Sequence, residues 1–439
     1  MADFLDRPAS RRAFLSMAVG AGALAVTGAA TPAQAALRTK AHIVILGAGA
    51  AGTALANRLA ARLDGAAITI VDGRKEHWYQ PGFSLIAAGL KPAGYSVSQT
   101  EDWLNNDVTL KQDMAAGIDP EAKKVALQSG EVLTYDYLVV ATGLVLDYDA
   151  IEGFEMDLIG KDGVGSLYAG PDYAARTWEA AGKYAEEGGV GLFTRPDTEM
   201  KCAGAPIKHT FLIDDIARQQ GSAGKADITY FANNNSLFGV PIVAEKIRMV
   251  FDDRGIKHEY DHVVKAIDPG VKKVTFATPE GDYDRDYDYV HIIPPQRAPL
   301  VVRDSGLSWA DKWTDQGWVE CHKETLRHLR YDTVFAIGDV AGVPKGKTAA
   351  SVKWQVPVVE EHIIAQISGD TTDAAFNGYT SCPLITRIGR AMLIEFDYNN
   401  NLVPSFPGII APLEELWISW LMKEVALKAT YNAMLRGRA

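Results

Sequence analysis

Two sets of residues in this 439-residue chain could do chemistry. The first is a set of thiols. Cys202 stands in Lys201-Cys202-Ala203-Gly204-Ala205-Pro206, and Cys382 stands 180 residues later in Tyr379-Thr380-Ser381-Cys382-Pro383-Leu384. Two cysteines can store an electron pair as a disulfide, but only where tertiary structure brings their Cα atoms within about 7 Å, and sequence spacing does not set that. Taken singly, a cysteine is more often a small buried hydrophobe. Cys321, in Val319-Glu320-Cys321-His322, reads as such an incidental thiol, although His322 beside it could lower its pKa. The second set is Gly47-Ala48-Gly49-Ala50-Ala51-Gly52 with Asp72. An apolar run over 41–46 leads into it, and a helical pattern with Leu55, Leu59 and Leu63 follows. A second apolar run, 67–71, ends at Asp72. In that context the glycine spacing is specific. Gly47 permits a tight turn, Gly49 lets backbone approach a pyrophosphate, Gly52 lets helix and strand pack closely, and Asp72 can hold ribose hydroxyls.

Two further markers name the dinucleotide. Residues 135–143 form an apolar strand pattern ending in Ala141-Thr142-Gly143, and residues 334–339 form another ending in Gly338-Asp339. In flavoproteins with two dinucleotide domains, the first marks the passage between domains and the Asp of the second binds the ribityl chain. Three motifs in this order argue for FAD. The middle of the chain reads as a second dinucleotide fold with strands over 188–193 and 226–231, but Thr194 to Gly204 lacks a glycine-rich phosphate loop. The second of these strands ends in Ala232-Asn233-Asn234-Asn235, with no acid for a ribose. NAD(P)H is therefore not the expected donor. Another redox group must pass electrons to the flavin, and Cys202 lies where the nicotinamide loop would run.

At this point the chain resembles the sulfide:quinone oxidoreductases, in the subgroup that includes the mitochondrial enzyme. The residues that carry the resemblance are 79–90, from Tyr79-Gln80-Pro81-Gly82 onward, the two cysteine motifs, His291-Ile292-Ile293-Pro294-Pro295, Lys347-Thr348-Ala349-Ala350 and Phe396-Asp397-Tyr398. The resemblance implies an FAD enzyme in which Cys202 and Cys382 form a redox disulfide, with or without an inserted sulfur. Hydrosulfide attacks the sulfur on Cys382 and leaves a persulfide. The released Cys202 thiolate donates to the flavin, and the sulfane sulfur leaves as polysulfide or on a small thiol or sulfite. Lys347 and Lys423 are candidate cations near the flavin. The resemblance also implies a peripheral membrane contact through C-terminal helices that admit quinone, and it leaves room for a homo-oligomer.

Elements must position these groups. The expected fold is α/β, with two Rossmann-like dinucleotide-binding domains in the three-layer, glutathione-reductase-like arrangement and a C-terminal helical membrane-docking region. Residues 36–150 and 296–378 are expected to form the FAD domain, 151–295 the degenerate second domain, and 379–439 the region with Cys382 and an amphipathic helix. That helix reads over 413–435, with Leu413, Leu416, Trp417, Trp420, Leu421 and Val425 at helical spacing and Arg436 and Arg438 beyond. His258 and His262 fall in a run, 257–267, that reads as one strand. Four residues of strand span about 13 Å, too far for one metal.

Composition excludes other classes. Hydrophobic residues are 47% and charged residues 23%, an ordinary globular balance. The net charge of -11, without a Lys/Arg run, speaks against nucleic acid. Three cysteines are too few for a disulfide framework or a Cys-rich zinc site. Residues 1–35 read as an address, with twin arginines in Ser10-Arg11-Arg12-Ala13-Phe14-Leu15 and small residues at Ala33-Gln34-Ala35. The expectation is export by the twin-arginine route to the periplasm, where a disulfide persists. The alternative function is the flavoprotein subunit of a flavocytochrome c sulfide dehydrogenase, which hands electrons to a cytochrome c. Its usual flavin tether through a cysteine near His77-Trp78-Tyr79-Gln80 is unavailable, because no cysteine precedes Cys202.

Overall fold

The computed structural model describes residues 36–438, so the twin-arginine pattern and the 33–35 motif lie outside the described residues. The chain opens with strand β1 (His42–Leu46), whose last four residues are buried. Burial of such side chains stabilises the fold by about 1.5–3 kcal/mol each. Helix α1 (Ala50–Arg62) and strand β2 (Ala67–Val71) follow, then β3 (Val108–Lys111). Strands β4 (Ala115–Asp119), β5 (Lys124–Leu127) and β6 (Val132–Thr134) form an antiparallel meander, and β7 (Tyr137–Val140) returns to the first sheet.

The same plan repeats in the middle of the chain. After β8 (Val164–Gly165) and α2 (Pro171–Glu187) come β9 (Gly189–Thr194), α3 (Ala205–Gln220), β10 (Ala226–Phe231), α4 (Pro241–Arg254) and β11 (Lys257–Glu259). A second meander, β12 (Val263–Asp268), β13 (Lys273–Thr278) and β14 (Gly281–Asp286), precedes β15 (Tyr289–His291). Strand β16 (Val334–Ala336) then returns to the first sheet.

The first sheet has the order β16-β7-β1-β2-β3 and the second the order β8-β15-β9-β10-β11, and every pairing in both is parallel. Two five-stranded parallel sheets, each with a three-stranded meander, give the duplicated dinucleotide architecture expected from the motifs. Helix α5 (Ala349–Ser368) packs on α1. A hairpin, β17 (Thr380–Arg387) and β18 (Arg390–Phe396), packs on α3. The chain closes with α6 (Trp417–Leu421), a π-helical turn (Met422–Ala426) and α7 (Leu427–Leu435). Among the described residues no helix is long and apolar enough to cross a membrane.

Two element boundaries differ from expectation. The run 257–267 is two strands in two sheets, because Asp261 takes a left-handed φ of 58° between them. The last helix starts at Trp417 rather than Leu413. Leu416 is extended instead and exchanges both backbone hydrogen bonds with Ala391 of β18. Its apolar side chain mimics a helical period while its backbone extends a sheet edge.

Candidate active site

Cys202 lies in the ten residues that join β9 to α3, where the first unit needs only three between β1 and α1. It has a left-handed φ of 45°. Three backbone groups are held around it. The Cys202 N–H donates to the Lys347 carbonyl at 2.9 Å, and the Tyr168 hydroxyl donates to the Lys201 and Cys202 carbonyls, each at 2.9 Å. The strained conformation aims the thiol at Cys382, which is buried on β17 and lies opposite Ile394 of the hairpin. The two thiols are in hydrogen-bond contact. A Cβ at Gly204, the residue before α3, would collide with Cys382 Sγ.

The surroundings favour charge on Cys202. The hydrogen bond from Cys382 pulls the Cys202 thiol well below its ordinary range, and Lys208 and Lys423 add to that against burial. Cys382 is pushed up by the same hydrogen bond and by burial. Lys208 Nζ stands 3.5 Å from Cys202 Sγ, and it also contacts the Cys382 thiol. The uncapped N-terminus of α3 adds a fixed positive end. Lys423 reaches in from the π-helical turn and donates to the Pro81 carbonyl at 2.6 Å. Burial first, then repulsion from Lys208, lowers it to about 7. π turns often mark such functional reorientations of a helix.

The glycines of the loop sit in different surroundings. A Cβ at Gly47 would strike the Ala141 carbonyl, and one at Gly52 would strike the Gly47 carbonyl, so both glycines are needed for close packing. At Gly49 and Gly143 a Cβ would meet nothing within 4 Å. Asp72 accepts the Ala48 N–H and the Arg74 N–H, each at 2.8 Å, which leaves it lone pairs for a ligand. Ala51 is buried beside Gly338, whose N–H donates to Gln355 Oε1 at 2.8 Å. Lys347 is buried rather than on the surface. Its Nζ donates to the Asp339 and Ala341 carbonyls at 2.5 and 3.0 Å over the Trp318 ring, and burial lowers it to about 8. Asp339 is pushed up by burial, and Lys201 and Lys347 counter this.

The structure thus brings Cys202, Cys382 and Lys423 together, and Lys347 and Asp339 stand behind Cys202. Cys321 is elsewhere, packed in the first sheet's core, and burial pushes its thiol up to about 12. The lowering by His322 does not occur, because the His322 ring faces the N–H groups of Glu324 and Thr325 instead. Lys208, Lys201 and Tyr168 escaped the sequence reading. Lys208 did carry a signal, since a lysine in the first turn of a helix opposes the helix dipole. Lys201 and Tyr168 carried none. Among the described residues no cluster of three or more His, Cys, Asp or Glu could hold a metal.

The groups around the glycine loop fit FAD. Gly49 and Gly143 leave open space, the α1 N-terminus has no side-chain cap, and Thr142 Oγ1 and Arg74 Nε are buried without a hydrogen-bond partner. Such groups suit a pyrophosphate and its attached rings.

Comparison with known proteins agrees. Residues 41–169 match the pyridine nucleotide-disulphide oxidoreductase family model. The chain is 34% identical to the mitochondrial sulfide:quinone oxidoreductase of Dictyostelium discoideum over 403 residues, covering 92% of this chain and 87% of that one. It is 32% identical to the mitochondrial sulfide:quinone oxidoreductase of Mus musculus, over 90% and 86% of the two chains. In fold it is similar to the sulfide:quinone oxidoreductase of Aquifex aeolicus, with a TM-score of 0.75 at 21% identity over 90% of this chain and 92% of that chain. The mitochondrial relatives overturn the expected twin-arginine export to the periplasm. The physical reason is that an arginine-bearing, acid-poor leader rich in small residues is a composition that different targeting routes share. With the thiol pair, the FAD cradle and the whole-length match in place, the chain belongs to the sulfide:quinone oxidoreductase family, enzymes that depend on FAD.

Proposed function

We propose that this chain oxidises hydrosulfide to sulfane sulfur at Cys202 and Cys382 and passes two electrons, by way of FAD, to a quinone. One observation carries the reading: thiols 180 residues apart lie in contact, and two buried lysines stand over them. When bound, FAD supplies a two-electron carrier. Gly47, Gly49, Ala51, Gly52, Asp72, Thr142, Gly143, Gly338 and Asp339 would hold it, and Lys347 and Lys423 would supply positive charge.

The side chains account for the direction of attack. In the oxidised pair, hydrosulfide is drawn in by Lys208 and Lys423. Its sulfur bonds to the Cys382 sulfur, the S–S bond breaks, and its electron pair leaves on Cys202 as a thiolate. Cys382 keeps the persulfide with the hydrosulfide proton. A leaving thiol departs faster the lower its pKa, and Cys202 is the one whose thiolate is stabilised.

Three finer points belong to the same reading. Residues 36–150 with 296–378 serve as the FAD domain, 151–295 as the second domain and 379–439 as the closing region. The second domain does not use NADH, because Cys382 Sγ stands beside the residue that opens α3, where a phosphate would approach. The closing region makes peripheral membrane contact. Exposed Ile409 and Val425, with Arg436 and Arg438 beyond, support that.

Steady-state assays with sulfide as donor test the function. A soluble quinone should be reduced, and neither cytochrome c as acceptor nor NADH as donor should support comparable turnover. Turnover with cytochrome c and not with quinone would overturn the quinone reading.

A further inference from the structure

The glycine loop and the closing helix meet through one histidine. His77 lies on the short strand Glu76–Trp78, which pairs antiparallel with Val97–Gln99, and it is buried. Its two ring nitrogens face different parts of the chain. Nδ1 lies 3.3 Å from the carbonyl oxygen of Ala48, inside the glycine loop, and Nε2 lies 2.7 Å from the hydroxyl of Tyr431 on α7. A carbonyl can only accept, so Nδ1 carries the proton and Nε2 accepts from the Tyr431 hydroxyl. Burial lowers His77 to about 4, so the ring is neutral near pH 7 and this arrangement holds.

The contacts continue at both ends. On the cofactor side, the Ala48 N–H donates to Asp72 Oδ2 at 2.8 Å, and the Thr53 hydroxyl donates to the same Ala48 carbonyl at 2.9 Å. Ala48 is therefore fixed between the acid read as the ribose partner and His77. On the other side, the Tyr431 ring packs edge-on against Tyr79 at 4.9 Å, and Lys423 Nζ stands 5.9 Å from the centre of the Tyr79 ring. Hydrogen bonds thus run from Asp72 to Tyr431, and two ring contacts lead on to Lys423. Other bonds of α7 go elsewhere. Lys428 Nζ donates to the Tyr95 carbonyl, and the Leu435 carbonyl accepts from Asn57, each at 2.6 Å.

A ligand that binds the loop in this conformation favours the state in which the Ala48 carbonyl faces His77. It thereby favours the Tyr431 bond too, because one imidazole makes both. Donation from Nδ1 raises electron density at Nε2, so each bond strengthens the other. By linkage, a seated helix must favour the ligand by the same factor. We propose that His77 is a positioning residue that couples FAD binding at the glycine loop to the seating of α7, the helix that follows Lys423. This rests on the placement of FAD at that loop and not on the sulfide chemistry. Without FAD the closing helix is looser, and the lysine over the thiols is set in place only once the cofactor is bound.

Hydrogen exchange followed by mass spectrometry tests this on the full chain, with and without FAD. In wild type, FAD should slow exchange over 427–435 about 3- to 10-fold, the value of one neutral hydrogen bond. Tyr431→Phe keeps the ring and removes the hydroxyl, and in it that slowing should vanish. Its Kd for FAD, read from flavin fluorescence, should rise by the same factor. His77→Leu should behave alike, which covers poor folding of either variant. Lys428→Met loosens α7 at Tyr95 and should keep the FAD-dependent slowing. Slowing that persists in Tyr431→Phe, or that is lost in Lys428→Met as well, overturns the role of His77. A wild-type α7 indifferent to bound FAD overturns it too. If the wild-type chain does not bind FAD at all, the cofactor placement fails instead, so the two failures are distinguishable.

Discussion

The Cys382 sulfur stands where a side chain at Gly204 would have to go. Gly49, at the corresponding helix start of the first unit, faces open space instead. One fold, used twice, therefore leaves room for a phosphate in one unit and puts a thiol in the other. Gly204→Ala should force Cys382 away from Cys202 and lower stability by about 1–3 kcal/mol through overpacking. Sulfide-dependent flavin reduction should slow with FAD still bound. Equal FAD retention and an unchanged reduction rate would refute the collision.

Lys208 should set the reactivity of Cys202. Lys208→Met removes the donor 3.5 Å from the thiolate. The rate of Cys202 alkylation by iodoacetamide, followed against pH in the reduced enzyme, should move to a higher apparent pKa. Sulfide turnover should fall about 10- to 100-fold, the loss of one charge-assisted hydrogen bond. An alkylation profile that stays in place would remove Lys208 from the account.

Lys423 should make stability depend on pH. Burial and then Lys208 hold it at about 7, against 10.5 when free. Between those values the unfolded chain binds the extra proton, so the contribution of Lys423 to stability rises as pH climbs through the window. Lys423→Met should be more stable than wild type at pH 7 by roughly 2–5 kcal/mol and lose that advantage by about pH 10.5. Urea unfolding across the range checks this, and a difference that does not change with pH contradicts it.

Tyr168 should hold the Cys202 turn. Tyr168→Phe deletes the hydroxyl that donates to two consecutive carbonyls and leaves the left-handed Cys202 less constrained. A loss of about 1–2 kcal/mol in stability is expected, together with slower sulfide reduction at an unchanged FAD content. Full activity in this variant would show that the turn needs no such clamp.

Legibility in the sequence followed how local each signal is. The run 42–46, the loop at Gly47, Gly49 and Gly52, and the strands ending at Thr142-Gly143 and Gly338-Asp339 are each set by neighbours in the chain. They appear in the structure as read. Leu413 and Leu416 misled because apolar spacing cannot tell a helix from a backbone that bridges to Ala391. The run 257–267 misled because a single left-handed residue, Asp261, divides it into strands of two different sheets. Lys201 and Lys347 look like surface lysines in sequence, and only the fold brings them near Asp339, with Lys347 buried and Lys201 half-buried. The Tyr168 bonds to the Cys202 turn depend on a loop more than thirty residues upstream, which no local pattern encodes.

The central claim is that both cysteines are needed to move electrons from sulfide to the flavin. An anaerobic absorbance titration of the FAD-loaded protein with sulfide tests it most directly, with wild type, Cys202→Ser, Cys382→Ser and Cys321→Ser side by side. Wild type and Cys321→Ser should lose the flavin band on stoichiometric sulfide and regain it when a soluble quinone is added, while the other two variants stay oxidised. Bleaching by sulfide in Cys202→Ser or Cys382→Ser at the wild-type rate would contradict the account.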